Sequence, residues 1–134
     1  MNAVEIEEAV SKLAEQQFDV ENFPYLFLEA FGNKPTTIKR LQAGVSNKSD
    51  IDGGVLQYNN IHIAVAPDGK VSETLTKLRK SPATKKQKAK FILSTDGKEF
   101  QAEDLVSDTA PIVCEYKNFP DHFGFFLELA GIST

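Results

Sequence analysis

Residues 47–67 read Asn-Lys-Ser-Asp-Ile-Asp-Gly-Gly-Val-Leu-Gln-Tyr-Asn-Asn-Ile-His-Ile-Ala-Val-Ala-Pro, and this stretch decides the fold. A polar loop leads into a short strand at 55–58, a tight turn at Asn59-Asn60 and a second strand at 61–65. Asn suits a two-residue hairpin because it tolerates positive φ better than most residues. Asp50 and Asp52 stand just before the first strand, and Gly53-Gly54 eases the chain into it.

On the N-terminal side, Asn2 with Glu5 three residues later forms a capping box that opens a first helix. Ile6, Ala9, Val10, Leu13 and Ala14 fall on one stripe of it, with Glu5, Glu8, Lys12 and Glu15 outside. After a break at 18–22, a second helix is expected over 24–31, started by Pro24 and ended by Gly32. Apolar residues surround most of it, so it should be buried. A third short helix spans 35–43, with Ile38 and Leu41 inward and Lys39 and Arg40 outward.

On the C-terminal side, Pro67-Asp-Gly-Lys is a turn and Ser72 is placed to cap a helix running to Lys80. Ser81-Pro82 interrupts it, and the basic segment 85–90 leads into a strand at 91–95. Asp96-Gly97 signals a hairpin returning at 98–102. A strand at 111–117 alternates Ile112, Cys114 and Tyr116 with Val113, Glu115 and Lys117, and a last helix covers 121–130. Helices, a hairpin, a helix, further strands and a closing helix predict an α+β fold, a mixed or antiparallel sheet flanked by helices.

The 134 residues suffice for one domain that buries roughly two-thirds of its chain's surface. A single cysteine, Cys114, excludes an internal disulfide and fits a reducing compartment; with no signal-peptide pattern or membrane span, the expected location is cytoplasmic. The net charge of −4 is unevenly spread. Residues 1–30 carry seven acids against Lys12, whereas residues 70–90 carry eight bases against Glu73. Such asymmetry points to an anionic partner on one side, with Lys77, Arg79, Lys80, Lys85, Lys86, Lys88 and Lys90 as the candidate contacts.

The chemistry such a sheet could carry is Mg²⁺-dependent phosphodiester cleavage of the Asp…Glu-x-Lys kind. That chemistry needs an acid on one strand and Glu-x-Lys on its neighbour. Residues i and i+2 of a strand share a face, so Glu can ligate the ion while Lys orients the attacking water. Asp52 supplies the acid. The partner strand, however, offers only His62 and Ala64, or Ala64 and Ala66; a His there more often packs or hydrogen-bonds than ligates Mg²⁺. A literal Glu-x-Lys occurs at Glu115-Tyr116-Lys117, a pair that also arises by chance on solvent faces. His122 beside Asp121 is a weaker pattern still.

These residues also carry a family resemblance. The chain resembles the N-terminal region of MmeI-like (type IIL) restriction–modification proteins and their class I S-adenosylmethionine-dependent DNA methyltransferase relatives. The resemblance rests on Phe27-Leu-Glu-Ala-Phe-Gly-Asn-Lys34, Thr37-Ile-Lys-Arg-Leu41, residues 52–65 and residues 119–132. It implies a restriction-endonuclease-like (PD-(D/E)xK-derived) domain over 1–134, cut from a longer chain that continues through a helical spacer to adenine-N6 methyltransferase and target-recognition domains. S-adenosylmethionine would bind in those later domains, and no cofactor would bind here. By the same resemblance Asp52 is a relic of the metal-binding acid, while the Glu and Lys roles stand unfilled.

The expectation is a cleavage-inactive nuclease-like module that contacts DNA or braces the methyltransferase of a restriction–modification or phage-defence system. Two alternatives stand beside it. One is an active Mg²⁺-dependent endonuclease using Asp52 with Glu115 and Lys117, or with His62. The other is a protein-interaction module that docks on its own methyltransferase.

Overall fold

The computed structural model describes residues 1–132. Three helices come first: α1 (Ala3–Glu15), α2 (Phe23–Ala30) and α3 (Pro35–Gln42). The hairpin β1 (Val55–Gln57) and β2 (Ile61–Val65) follows, then α4 (Val71–Lys80), a short α5 (Pro82–Lys86), and strands β3 (Phe91–Thr95), β4 (Glu99–Asp104) and β5 (Ile112–Glu115). A kinked 3₁₀ segment, Tyr116–Ala130, closes the chain.

The five strands lie in the order β1-β2-β3-β4-β5. Only β2 and β3 are parallel, and α4 is the crossover that a parallel pair requires. The sheet is therefore mixed and open, with helices on both faces. Register sorts the side chains by period two. Leu56, His62, Ala64, Ile92, Ser94, Gln101 and Glu103 share one face, which α4 covers with Leu75 and Leu78. Val55, Ile61, Ile63, Phe91, Leu93, Phe100, Ala102 and Ile112 share the other, which packs on α1, α2 and the 3₁₀ segment.

That second face holds the main core, and it is aromatic. Phe23, Phe27, Phe31, Phe91, Phe100, Phe119 and Phe126 are all buried, and Phe100 stacks on Phe119 at 4.7 Å with the rings 3° from parallel. The α1 stripe enters this core through Ile6, Val10 and Leu13, and the capping box at Asn2 and Glu5 forms in both directions. Phe18, between α1 and α2, lies over Gly97 in the β3–β4 turn. A Cβ on Gly97 would sit 2.7 Å from that ring, and the residue's φ of +87° already favours glycine.

Several local expectations change. The β1–β2 turn holds three residues, Tyr58, Asn59 and Asn60, because Gln57 pairs with Ile61; Asn59 alone takes a positive φ, +61°. A left-handed residue in a three-residue loop matches the strand twist, as the two-residue turn would. Ser72 does not cap α4. The helix starts one residue earlier, at Val71 after Lys70, and the Ser72 hydroxyl accepts from Gln101 Nε2 at 2.9 Å. Ser81-Pro82 does more than interrupt: Ser81 caps α5 by accepting from Thr84 N. The strand expected over 111–117 stops at Glu115, since Tyr116 turns inward against Phe18, Phe23 and Phe119. The last helix is 3₁₀ rather than α, with Pro120 inside it and non-helical dihedrals at His122.

Candidate functional site

The loop before β1 is tied to the sheet by Asn47. Its Oδ1 accepts from Ser49 N at 3.0 Å and Leu56 N at 2.9 Å, while its Nδ2 donates to Gly54 O at 3.0 Å. This bracket brings Ser49 over β2, where its Oγ lies 2.7 Å from Nε2 of His62. The other ring nitrogen, Nδ1, lies 2.8 Å from Thr84 Oγ1 on α5.

The hydrogen-bond network assigns the tautomer. Thr84 donates its one hydroxyl proton to Leu78 O at 2.7 Å, so its oxygen must accept from His62 Nδ1–H. Nε2 is then an acceptor, taking the Ser49 hydroxyl proton. His62 is fully buried, and burial pushes its pKa down from 6.5 to about 4, against the opposing pull of the Asp50 carboxylate. The ring is neutral at pH 7 and both nitrogens are engaged.

Asp50 makes a second tie alongside. It accepts from Ser81 Oγ at 2.6 Å and from Ala83 N at 3.4 Å. The Ser81 hydrogen bond holds its carboxyl below the usual range, with partial burial opposing and the Ala83 N–H adding to the effect. Two hydrogen-bonded chains thus fasten the 47–52 loop to the α4–α5 corner through the start of β2. Gly54 makes room for this: a Cβ there would lie 2.4 Å from Ser49 Oγ.

Asp52 takes no part in these ties. It is exposed on the turn before β1, on the wall of a cavity of about 520 Å³ that Glu21, Tyr25, Asn47 and Ser49 also line. Ala64, two residues beyond His62, is buried under α4. Glu115 and Lys117 are at the far edge of the sheet, four strand spacings or roughly 19 Å from β1. Lys117 is off the strand, so the two do not share a strand face; they pair with each other at 3.2 Å in solvent. The structure therefore does not bring Asp52, Glu115 and Lys117 together. In the Asp…Glu-x-Lys arrangement a divalent ion beside Asp52 would need a carboxylate from position 62 and a lysine beside it from position 64. A buried imidazole committed to two hydroxyls and an alanine do not fit it. Among the described residues no three His, Cys, Asp or Glu side chains form a group that could hold a metal ion.

The basic candidates divide. Arg79 is bound at both ends of its fork to Glu103 on β4, through Nε at 3.0 Å and through Nη2. That hydrogen bond raises its pKa, and the guanidinium is committed to the sheet. Lys90 is half-buried with Nζ 4.0 Å from Glu128. Lys77, Lys80, Lys85, Lys86 and Lys88 are exposed, and among the described residues none has a carboxylate within ion-pair distance. Lys77 and Lys80 border a cleft of about 430 Å³ whose other side is Asp50 and Ile51. The five lysines thus decorate the outer surface of the corner whose inner surface holds His62 and Asp50.

Sequence reasoning missed Lys34. The Asn33 amide oxygen accepts from Gln57 Nε2 at 2.9 Å, which sets the exposed Lys34 beside the hairpin end. It also missed Ser49, Ser81 and Thr84, whose hydroxyls lie 13 to 31 residues from their partners. No periodicity announces such pairs.

The whole chain, residues 1–134, matches the family described as the N-terminal domain of MmeI, and the chain belongs to that family. No curated protein and no solved structure matches it. Among the described residues no helix is long and apolar enough to cross a membrane.

Proposed function

We propose that this member of the MmeI N-terminal domain family is a restriction-endonuclease-derived domain that no longer cuts. It serves a site-specific DNA adenine methyltransferase of a restriction–modification system by contacting DNA phosphates. One observation carries the reading: the strand position where the nuclease glutamate would stand is His62, buried, neutral and bonded at both ring nitrogens. Asp52 remains as the acid without companions. The five exposed lysines on the α4–α5 corner support phosphate contact, which adds affinity without reading sequence. Same-chain partners would be the methyltransferase and target-recognition domains, where S-adenosylmethionine binds. The free thiol of Cys114 suits a cytoplasmic setting.

Titration of labelled duplex DNA across salt concentrations tests the reading. Affinity should fall as salt rises, and replacing Lys85, Lys86 and Lys88 by Ala should weaken binding and flatten the log–log slope by about 2 to 3. Salt-insensitive affinity, or a slope untouched by the triple substitution, refutes the contact. Plasmid nicking that requires Mg²⁺ and vanishes in Asp52→Ala refutes the loss of cleavage.

A further inference from the structure

The end of the β1–β2 hairpin carries Tyr58, the one aromatic side chain among the described residues that is exposed; its relative exposure is 56%. The other twelve aromatic residues are buried or half-buried in a chain that packs rings wherever it can. The hairpin end that carries Tyr58 is held in place by its neighbours. Asn60 Nδ2 donates to Gln57 Oε1 at 2.7 Å, and Gln57 Nε2 donates to Asn33 Oδ1 at 2.9 Å. Asn59 N donates to Gln87 O at 2.8 Å, and Lys90 N donates to Asn60 O at 2.7 Å. The hairpin end is therefore pinned on one side to the segment preceding α3 and on the other to the segment following α5.

Both anchoring segments carry positive charge. Gln87 lies between the exposed Lys86 and Lys88, and Asn33 precedes the exposed Lys34. A solvent-facing ring on an anchored hairpin end, with lysines in the segments that anchor it, is the chemistry that grips an unpaired nucleotide: the base stacks on the ring while its phosphates meet the lysines. Fully paired DNA turns only base edges outward, so it cannot use the face of the ring in this way. Because the backbone beneath the ring is anchored, only the side chain's own rotamers need to order on stacking.

We infer that Tyr58 is a base-stacking residue, and that the surface formed by Tyr58, Lys34, Lys86 and Lys88 prefers DNA with an unpaired segment over intact duplex. The inference rests on the proposed DNA contact and adds to it a contact that does not depend on charge. The test compares the protein's affinity for a labelled duplex containing a short single-stranded gap with that for the same sequence fully paired, at one salt concentration. The gapped substrate should bind about tenfold more tightly, one stacked base's share of affinity. Tyr58→Ala should abolish that preference while leaving intact-duplex affinity and its salt slope unchanged, and Tyr58→Phe should retain it. Because Tyr58 packs on nothing in the core, both variants should fold, which circular dichroism checks. Equal affinity for the two substrates, or a preference that survives Tyr58→Ala, overturns the inference and leaves the phosphate contact standing. Salt-insensitive binding to both substrates overturns the two together.

Discussion

Acidification from pH 7 to 4.5 should cost this protein about 2 kcal/mol through His62 alone. The ring sits at about 4 in the folded state against an ordinary value of 6.5, so the unfolded chain binds a proton that the folded one refuses. Stability therefore rises with pH across this window and falls as pH drops through 6.5 towards 4. Below about 4 both states are protonated and the loss levels off near 3 kcal/mol, at 1.36 kcal/mol per pH unit of displacement. The held-down carboxyls of Asp19, Asp50, Asp96 and Asp104 contribute stability that is present above 3.8 and lost only at lower pH, so they fall outside this window.

Urea unfolding followed by circular dichroism at pH 7, 6, 5 and 4.5 measures the effect. With a slope of about 1–2 kcal/mol per molar urea, the midpoint should drop by roughly 1–2 M between the extremes. His62→Gln lacks the titrating ring, and although it is less stable at pH 7 its midpoint should be nearly flat over the same range. Parallel curves for the two proteins would refute the reasoning, as would a wild-type midpoint that rises on acidification. Either result would mean that the proton reaches Nε2 without penalty, with Ser49 turning its hydroxyl towards Ile51 O, 3.3 Å away.

Two substitutions probe the frame around this site. Gly97→Ala meets the Phe18 ring and a left-handed backbone together, and should cost about 2–4 kcal/mol, read as a fall in urea midpoint. The paired change His62→Glu with Ala64→Lys places on β2 the Glu-x-Lys that the proposed nuclease ancestry would assign there. It should yield an unfolded or strongly destabilised protein rather than a nuclease, because both sites are buried beneath the α4–α5 corner; a folded double variant that nicks plasmid with Mg²⁺ would refute this.

The legible part of the fold was the part written in local chemistry. The capping box at Asn2, the α1 stripe, Pro24 and Pro35 at helix starts, the β1–β2 hairpin and the alternation in β5 all depend on residues within a few positions of each other. The parallel pairing of β2 with β3 follows once α4 is placed between them. The failures have long-range causes. Tyr116 continues the strand alternation in sequence, but its ring belongs to the Phe18, Phe23 and Phe119 cluster, and that packing bends the chain before Lys117. Arg79 reads as one more base on a helix face, yet Glu103, 24 residues on, neutralises it. At the candidate site, the departure from Glu-x-Lys at His62 and Ala64 was plain from the residues. What replaced it was not, since Ser49 and Thr84 are ordinary surface residue types and only the folded chain brings their hydroxyls to the imidazole.

The segment 81–90 supplies Thr84 to His62 and Ser81 to Asp50, and it also carries three of the five exposed lysines that lack an ion-pair partner among the described residues. Ser81 and Thr84 bond Asp50 and His62, while Lys85, Lys86 and Lys88, which follow them in the chain, are exposed. A five-residue helix such as α5 has too few internal hydrogen bonds to hold itself in water. The backbone that carries Lys85 and Lys86 is anchored on its other side by the buried Ser81 and Thr84 hydroxyls, and the hairpin end carrying Tyr58 is tied to the same segment through Gln87 and Lys90. The neutral imidazole of His62 bonds Ser49 and Thr84 where a metal-holding pair would have left its ligand atoms open to the ion, and that bonding ties the loop to the basic corner. On the proposed function, the residues at positions 62 and 64 then bear on both halves of the reading, the missing metal ligand and the anchored basic corner.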